Sequence, residues 1–229
     1  MAYQVIHRRR AAEAVAARDR PDLRRTDVVL RALDLLIATS VLLVTSPLLL
    51  VFALAIKLSS GSPVLYRGAR VGRDGRVYRM YKFRTLAADA ETRLGKYYGP
   101  ELTVQTALEV TRLGRIMRVT QLDELPQLFN VIKGDMSVVG PRPIRPVFFE
   151  ELSEQIPSYW QRLVVRPGLT GFAQVRMGRE ETWAEKLSHD LEYIADRSVG
   201  LYLVVAFSTG LRLVKQSIVD SVALIARRR

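Results

Sequence analysis

The sequence has 229 residues, with 35 lysines and arginines against 23 acidic residues and a formal net charge of +12. This length fits one domain of ordinary size with short appendages and excludes two large independent domains. The absence of cysteine excludes disulfides and cysteine-ligated metals, and two histidines are too few for a histidine-based metal cluster. The excess of positive charge predicts an anionic partner: nucleic acid, a phospholipid surface or a phosphorylated substrate.

Residues 1–25 form a basic arm in which arginines are interleaved with alanines. Its arginines are Arg8, Arg9, Arg10, Arg18, Arg20, Arg24 and Arg25. Pro21 is expected to end any helix within the arm, because proline has no backbone N–H and does not fit a helix interior. We predict a solvated arm near anionic lipid rather than a nucleic-acid-binding arm.

Residues 35–56 contain no charged side chain. A run of this length matches the roughly 20 residues that a membrane helix needs. A cleaved signal peptide is disfavoured, since the apolar run is too long and no A-x-A cleavage site follows it directly. We therefore predict a membrane-embedded segment over residues 26–60.

Basic residues flank this apolar run on both sides. Arg24, Arg25 and Arg31 come before it, and Lys57, Arg67, Arg70, Arg73 and Arg76 follow it. The positive-inside rule draws both flanks toward the cytoplasm. At the middle lies Ser46-Pro47, where proline removes a backbone donor and the serine hydroxyl can satisfy a freed carbonyl. The pattern predicts a re-entrant helix-break-helix hairpin, and a kinked helix that crosses the bilayer is the alternative.

Three further elements follow along the chain. Residues 64–83 alternate apolar and basic side chains around Asp74-Gly75, which predicts a β-hairpin. In residues 107–119 the arginines at 112, 115 and 118 recur at steps of three and predict one stripe of a helix, although a solvated face has the same pattern. Toward the C-terminus, Leu211, Val214, Ile218, Val222 and Ile225 share one helical face. This face predicts an amphipathic helix in the membrane interface, with an ordinary surface helix as the alternative.

Residues 118–143, RVTQLDELPQLFNVIKGDMSVVGPRP, carry the strongest chemical signal. Pro126 fits the first turn of a helix that runs to about Lys133 and stops at Gly134. Asp123 and Glu124 then fall just before a helix N-terminus, whose free N–H groups and positive dipole favour phosphate.

Adjacent carboxylates offer two kinds of chemistry. Two hard oxygen ligands suit magnesium, and a carboxylate can also attack phosphorus to form an acyl phosphate. Nearby basic residues would mask the carboxylate charge and neutralise a departing phosphate: Lys82, Arg84, Arg118, Lys133, Arg142 and Arg145. On spacing alone, however, such a pair before a proline is more often a helix-capping turn than a site.

Four motifs in order carry a family resemblance: Ser46-Pro47 in an apolar segment, KFRTL at 82–86, LDELPQLFNVIKGDMSVVGPRP at 122–143 and RPGLTGFAQV at 166–175. Over about residues 26–215 the chain resembles the monotopic polyprenyl-phosphate phosphoglycosyl transferases, the bacterial sugar transferases. The resemblance implies a UDP-sugar donor, an undecaprenyl phosphate acceptor, Mg²⁺ and UMP as product. It also implies a ping-pong mechanism at the cytoplasmic face of the bacterial inner membrane.

The resemblance also implies roles for individual residues. Asp123 matches the nucleophile, Glu124 its acidic partner at the metal, and Arg142 a phosphate-binding arginine. Ser46 and Pro47 match the break of the re-entrant helix. The remaining matches form a polar, substrate-binding shell with less defined roles: Lys82, Arg84, Arg118, Asp135 and Gln174, the last near the nucleotide.

The chain departs from the family pattern at two apolar positions. Leu86 stands where methionine is frequent and Phe172 where tryptophan is frequent; both swaps leave the chemistry intact but could reshape a pocket wall. The extra transmembrane helices of longer members have no counterpart, so we expect the catalytic unit alone.

We expect an α+β, mostly helical fold with a re-entrant membrane hairpin, a small β-hairpin and amphipathic interfacial helices. The expected divisions are a basic arm (1–25), the membrane helix (26–60), a catalytic region (61–198) and an interfacial helix (199–229). A non-enzymatic basic membrane-tethering protein is the alternative, but it gives no reason for adjacent carboxylates in basic surroundings. An inactive scaffold is disfavoured by the intact Asp123-Glu124 pair. Membrane lipid is an expected partner and nucleic acid is not; the sugar, the pathway and a homo-oligomeric state are left open.

Overall fold

A computed structural model describes residues 21–94, 99–176 and 182–226. These residues are mostly helical, with two small sheets, which confirms the expected fold class at this level. The helices are α1 (Pro21–Ser60), α2 (Ala90–Leu94), α3 (Gly99–Leu108), α4 (Arg112–Val119), α5 (Gln127–Lys133), α6 (Pro146–Gln155), α7 (Phe172–Arg176), α8 (Trp183–Ala195) and α9 (Val199–Ala226). The strands are β1 (Leu65–Val71), β2 (Val77–Phe83), β3 (Ser137–Val139) and β4 (Gly168–Thr170). Most of the basic arm lies outside the described residues.

The chain divides into two compact units. Unit 1 contains the described residues up to Val41, Gly68–Met80 and Gln127–Leu211. Unit 2 contains Leu42–Arg67, Tyr81–Pro126 and the described residues from Arg212 onward.

Helix α1 carries the predicted membrane segment. Its stretch Arg25–Ser60 is long and apolar enough to cross a membrane. Only 11% of the most apolar 18 residues of this stretch are buried. Pro47 lies inside the helix, and Ser46 Oγ donates a hydrogen bond to Leu43 O at 2.8 Å. This is the carbonyl that the N–H of residue 47 would bond if it were not proline. The Ser46 hydroxyl therefore bonds the carbonyl that Pro47 frees, as expected, but the helix continues through the pair and the re-entrant hairpin is not confirmed.

The core of unit 2 fixes the backbone on both sides of the candidate site. Ile56, Phe83 and Met117 are buried together, with Leu49, Phe52, Ala53, Val64, Leu65 and Leu113 packed around them. Each fully buried side chain of this size contributes about 1.5–3 kcal/mol. Because Lys82 directly precedes Phe83 and Arg118 directly follows Met117, this packing holds the segments that present both basic side chains.

The core of unit 1 is built around a short parallel sheet that the sequence reasoning missed. Strand β3 pairs with β4 in the register Ser137–Gly168 and Val139–Thr170. Gly168 allows the close approach, since a Cβ there would lie 2.1 Å from Gly140 N. Beside the sheet, an apolar cluster joins β1 to α6, α8 and the 3₁₀ turn Tyr159–Val164: Val71, Ile144, Phe149, Leu152, Tyr159 and Leu187. The sheet brings the GPRP and RPGLTG motifs together.

Several local predictions are confirmed. Strands β1 and β2 form the hairpin, and Asp74 and Gly75 have φ of 60° and 75° in its connection. Helix α4 begins at Arg112 rather than near residue 107, because Thr111 caps it by accepting a hydrogen bond from Gly114 N. Helix α5 ends at Lys133, before Gly134 with φ +87°. Helix α9 is confirmed as a helix, whereas its predicted apolar face beyond residue 212 lies outside the described side chains.

Candidate active site

Asp123 and Glu124 lie in a tight turn in unit 2. They belong to the 3₁₀ turn Leu122–Glu124, which the Glu124 N–H closes by donating to Gln121 O at 3.1 Å. Gln121 adopts the left-handed conformation with φ 56°, which is uncommon for a residue with a side chain and stores local strain. This turn leaves the Asp123 side chain buried, with 8% of the residue exposed.

Lys82 and Glu124 form an ion pair across 42 residues of sequence. Lys82 Nζ donates to Glu124 Oε1 at 2.5 Å, and each side chain is only about one fifth exposed. A charge-assisted hydrogen bond in such partial burial is stronger than a surface ion pair. The pair places a fixed positive charge beside the two carboxylates.

Burial raises the pKa of Asp123 to about 6. The charge of Glu124 raises this pKa further, while the charges of Lys82 and Arg118 lower it. At neutral pH the carboxylate is therefore mostly ionised although its surroundings disfavour the charge. Such a group is a candidate nucleophile, because it is charged but incompletely solvated.

Arg118 is oriented by Thr85, a residue that the sequence reasoning missed. The Arg118 Nε donates to Thr85 Oγ1 at 2.8 Å, and Thr85 itself is buried. The Thr85 carbonyl accepts from Thr111 N at 3.0 Å. Gly114 lies so close that a Cβ there would be 2.1 Å from Thr85 O. The position of Thr85 within the KFRTL motif was the signal that could have identified it.

Arg84 binds the end of α1. Its guanidinium donates to the carbonyls of Ser60 at 2.6 Å, Gly61 at 2.8 Å and Ser62 at 3.1 Å. These carbonyls lie at or just beyond the helix C-terminus, where backbone acceptors lack helical partners and a positive charge is favourable. The geometry indicates a structural role, and the substrate-binding role stays a prediction.

Replacement of Arg84 by methionine separates these two roles. If the guanidinium mainly caps α1, the variant should lose about 1–3 kcal/mol of folding free energy and its thermal midpoint should fall by several degrees. The KM for a UDP-sugar should then change little. Arg115→Met, at an exposed arginine of α4, is the matched control and should keep the wild-type midpoint. A large rise in KM with an unchanged midpoint would show that Arg84 binds substrate instead.

The other predicted site residues lie in unit 1. Arg142 is exposed, and its carbonyl accepts a hydrogen bond from Arg162 Nη2 at 2.9 Å. Arg162 is buried and also donates to Asp190 Oδ2 at 2.7 Å and to Tyr159 Oη at 2.9 Å. This buried network fixes the backbone that carries Arg142. Sequence spacing gave no signal for it, since Arg162 and Asp190 are 28 residues apart.

Asp135 and Gln174 complete the set from unit 1. Asp135 Oδ2 accepts from Asn130 Nδ2 at 3.2 Å and pairs with Lys133 Nζ at 3.3 Å. Gln174 is half-buried in α7. Arg145 lies at the position that precedes α6. Unit 2 thus brings together Lys82, Arg118, Asp123 and Glu124, while Asp135, Arg142 and Gln174 belong to unit 1.

The carboxylate pair offers oxygen donors of the kind that magnesium accepts. Within the described ranges, no three or more histidine, cysteine, aspartate or glutamate side chains gather as a metal cluster. Two adjacent carboxylates are nevertheless a suitable donor set for Mg²⁺, which usually keeps several waters and takes further oxygens from substrate phosphates. Asp123 and Glu124 are therefore the residues that would hold such an ion.

An apolar helix of membrane-crossing length and a buried carboxylate beside a lysine–glutamate pair define a membrane-associated protein with a candidate phosphoryl-transfer centre. The model of the bacterial sugar transferase family matches residues 25–216. The chain belongs to this family, as the motifs predicted.

Three relatives illustrate the similarity. A UDP-N-acetylgalactosamine-undecaprenyl-phosphate N-acetylgalactosaminephosphotransferase of Aeromonas hydrophila is 39% identical over 182 residues, which cover 78% of this chain and 42% of the relative. A UDP-glucose:undecaprenyl-phosphate glucose-1-phosphate transferase of Escherichia coli K12 is 39% identical over 184 residues, which cover 78% of this chain and 39% of the relative. The exopolysaccharide production protein PSS of Rhizobium leguminosarum bv. phaseoli is 40% identical over 80% of this chain and 94% of its own. The chain thus spans about two fifths of the first two relatives.

Proposed function

We propose that this protein transfers a sugar-1-phosphate from a UDP-sugar to undecaprenyl phosphate and releases UMP. The observation that carries the proposal is the buried Asp123, with a pKa of about 6, beside the Lys82–Glu124 ion pair. The names of the Aeromonas and Escherichia relatives describe this type of reaction and support it. Basic membrane tethering explains the charge of the chain but not a buried carboxylate kept in basic surroundings.

The proposed reaction has two steps: transfer of the sugar phosphate to Asp123, and then transfer from Asp123 to the lipid. In the first, the Asp123 carboxylate attacks the phosphorus that bears the sugar, the bond from this phosphorus to the bridging oxygen breaks, and UMP leaves. The sugar phosphate is then held on Asp123 as an acyl phosphate. In the second step, a phosphate oxygen of undecaprenyl phosphate attacks the same phosphorus and releases the carboxylate. The products are UMP and an undecaprenyl diphosphate sugar.

The surrounding residues serve the charge balance of both steps. Lys82 and Arg118 favour the ionised form of Asp123 and offset negative charge on the diphosphate. When bound by Asp123 and Glu124, Mg²⁺ would supply further positive charge for the diphosphate oxygens. We assign phosphate binding to Arg142 and a place near the nucleotide to Gln174. Asp135 is assigned to the polar, substrate-binding shell.

We further propose that α1 is re-entrant, so that the protein is monotopic at the cytoplasmic face of the bacterial inner membrane. Basic residues on both flanks and Pro47 at the middle of the apolar run support this arrangement. Lipid contact is supported by large exposed side chains along the helix, including Leu43, Val44 and Leu50, each more than 70% exposed. An enzyme held at this depth meets both a lipid phosphate and a soluble nucleotide sugar. The reaction would begin the membrane stage of surface glycan synthesis, such as exopolysaccharide production.

The direct test is to identify the nucleotide that is released. Purified protein is mixed with undecaprenyl phosphate, Mg²⁺ and a panel of UDP-sugars, and UMP and UDP are separated by chromatography. We expect UMP with at least one sugar, together with a lipid of the mass of the diphosphate product. EDTA should abolish UMP formation and excess Mg²⁺ should restore it. Release of UDP would mean transfer of the sugar without its phosphate, and no nucleotide release from any sugar would favour the tethering protein.

A further inference from the structure

A cleft in unit 1 collects arginines that the proposed reaction does not use. It is a small cleft, with about 30 Å³ of space, and it opens to solvent. Its charged lining comes from the start of α1, the β1–β2 connection, the segment before β4 and the segment after α8: Asp27, Arg31, Asp34, Arg73, Arg166 and Arg197. Four arginines against two aspartates leave an excess of two positive charges.

The two aspartates of the cleft are already occupied. Asp34 Oδ1 accepts hydrogen bonds at 2.8 Å from Ser137 Oγ, Val138 N and Tyr202 Oη. Asp27 forms an ion pair with Arg197. These contacts fix both carboxylates in the wall of the cleft. Because the cleft has four arginines, the two carboxylates offset only part of its positive charge.

Two of the cleft arginines, Arg166 and Arg197, retain capacity to bind an anion, whereas Arg31 already donates to Val131 O and Ile132 O. Arg166 donates to Gly134 O at 2.9 Å, a neutral acceptor. Its pKa is lowered by burial and by the neighbouring charges of Arg73 and Arg31, which shows that like charges crowd this position. The Nε donor of Arg197 is buried and has no hydrogen-bond partner among the residues that the structure describes. An anion in the cleft would relieve the repulsion among the arginines and accept a hydrogen bond from Arg197 Nε.

The position of the cleft along the chain indicates the nature of its ligand. Asp34 is followed at once by the uncharged run of α1, and Arg197 comes just before α9. Both helices expose large apolar side chains in unit 1: Leu36 is 64% exposed, and Val204 and Phe207 are 62% and 68% exposed. A ligand with a negatively charged head and apolar tails matches both features.

We propose that this cleft binds the phosphate group of a membrane lipid. Arginine suits the task, because its planar guanidinium donates two parallel hydrogen bonds to phosphate oxygens. The bound headgroup holds the start of α1 at the membrane interface. The inference does not depend on the transfer reaction proposed above.

The test is native mass spectrometry of the full chain released from detergent micelles. The probes are dioleoylphosphatidylglycerol, undecaprenyl phosphate and dioleoylglycerol, which has the same tails as the first lipid but no phosphate. We expect the wild-type protein to retain one molecule of a phosphate-bearing lipid and no dioleoylglycerol. Retention of dioleoylphosphatidylglycerol supports the site. Undecaprenyl phosphate is also the proposed acceptor near Asp123, so its retention supports the cleft only where the cleft variants below weaken it.

Variants locate the binding. Arg166→Gln, Arg197→Gln and Arg73→Gln should each weaken lipid binding about tenfold, the loss of one charge-assisted contact. Arg73→Gln should leave the fold intact, because the Arg73 side chain is one third exposed. Its ion pair with the adjacent Asp74 is long, at 3.4 Å between Nε and Oδ2. Arg76→Gln removes an exposed arginine from the same connection and should leave binding unchanged. Equal binding by all variants, or competition by inorganic phosphate without retention of either lipid, would overturn the proposal.

Discussion

Replacement of Asp123 by asparagine is expected to lower the rate of UMP formation by at least about 10⁴-fold, because the amide has no charge with which to attack phosphorus. Glu124→Gln should also lose most of its activity, since it weakens the proposed Mg²⁺ site and breaks the ion pair with Lys82. The rates are measured with saturating UDP-sugar and undecaprenyl phosphate. Glu109→Gln is the matched control, because Glu109 pairs with Arg93, which is not a residue of the candidate site. Substantial activity in Asp123→Asn would show that another group attacks phosphorus.

The same substitution should stabilise the fold. A pKa of about 6 in the folded protein, against an ordinary value of 3.8, corresponds to about 3 kcal/mol. The folded state binds the extra proton, so the wild-type protein loses this stability as the pH rises from about 4 to about 6. In EDTA at pH 8, the thermal midpoint of Asp123→Asn should therefore lie several degrees above that of the wild-type protein. At pH 4 the difference between the two midpoints should be much smaller. An equal difference at both pH values would contradict the burial of this charge.

Replacement of Pro47 by alanine is expected to change the topology of the membrane helix. Alanine restores the N–H that can bond Leu43 O, so the variant should favour a straight helix that crosses the bilayer. The chain has no cysteine, so Ala11→Cys or Ala226→Cys provides a single label site. Spheroplasts are treated with a membrane-impermeant maleimide. We expect protection at both positions in the otherwise wild-type chain and labelling at one position once Pro47 is replaced.

Two controls make the topology result interpretable. Detergent must expose both cysteines, which shows that protection comes from the membrane and not from burial. Ser46→Ala keeps the proline and should keep both positions protected, although it leaves Leu43 O without the hydroxyl donor. Labelling of Ala11→Cys alone from the periplasm, in a chain that retains Pro47, would show a crossing helix.

Local signals explain which structural features could be predicted. The Asp74-Gly75 connection, the stop of α5 at Gly134 and the bond from Ser46 to Leu43 O depend on residues within a few positions of each other. Backbone preferences act at this range, so sequence alone indicated them. The uninterrupted α1 also has a local cause, because the Ser46 hydroxyl satisfies the carbonyl that Pro47 leaves without its usual partner.

Contacts between distant residues could not be predicted in the same way. Lys82 and Glu124 were both candidates, but their pairing depends on how β2 packs beside the 3₁₀ turn. The Arg162–Asp190 pair and the three donors to Asp34 connect elements whose spacing carries no pattern. The parallel pairing of β3 with β4 was missed because three-residue strands are too short for a recognisable alternation.

The most direct test of the proposed chemistry is the mass of the intact protein after mixing with a UDP-sugar and Mg²⁺ in the absence of lipid acceptor. We predict one added sugar phosphate, located on the peptide that contains Asp123, with an equal amount of UMP. Addition of undecaprenyl phosphate should remove the adduct, and Asp123→Asn should never acquire it. An unmodified protein that nevertheless forms UMP rapidly once the lipid is added would contradict the covalent mechanism and indicate direct transfer between the two substrates.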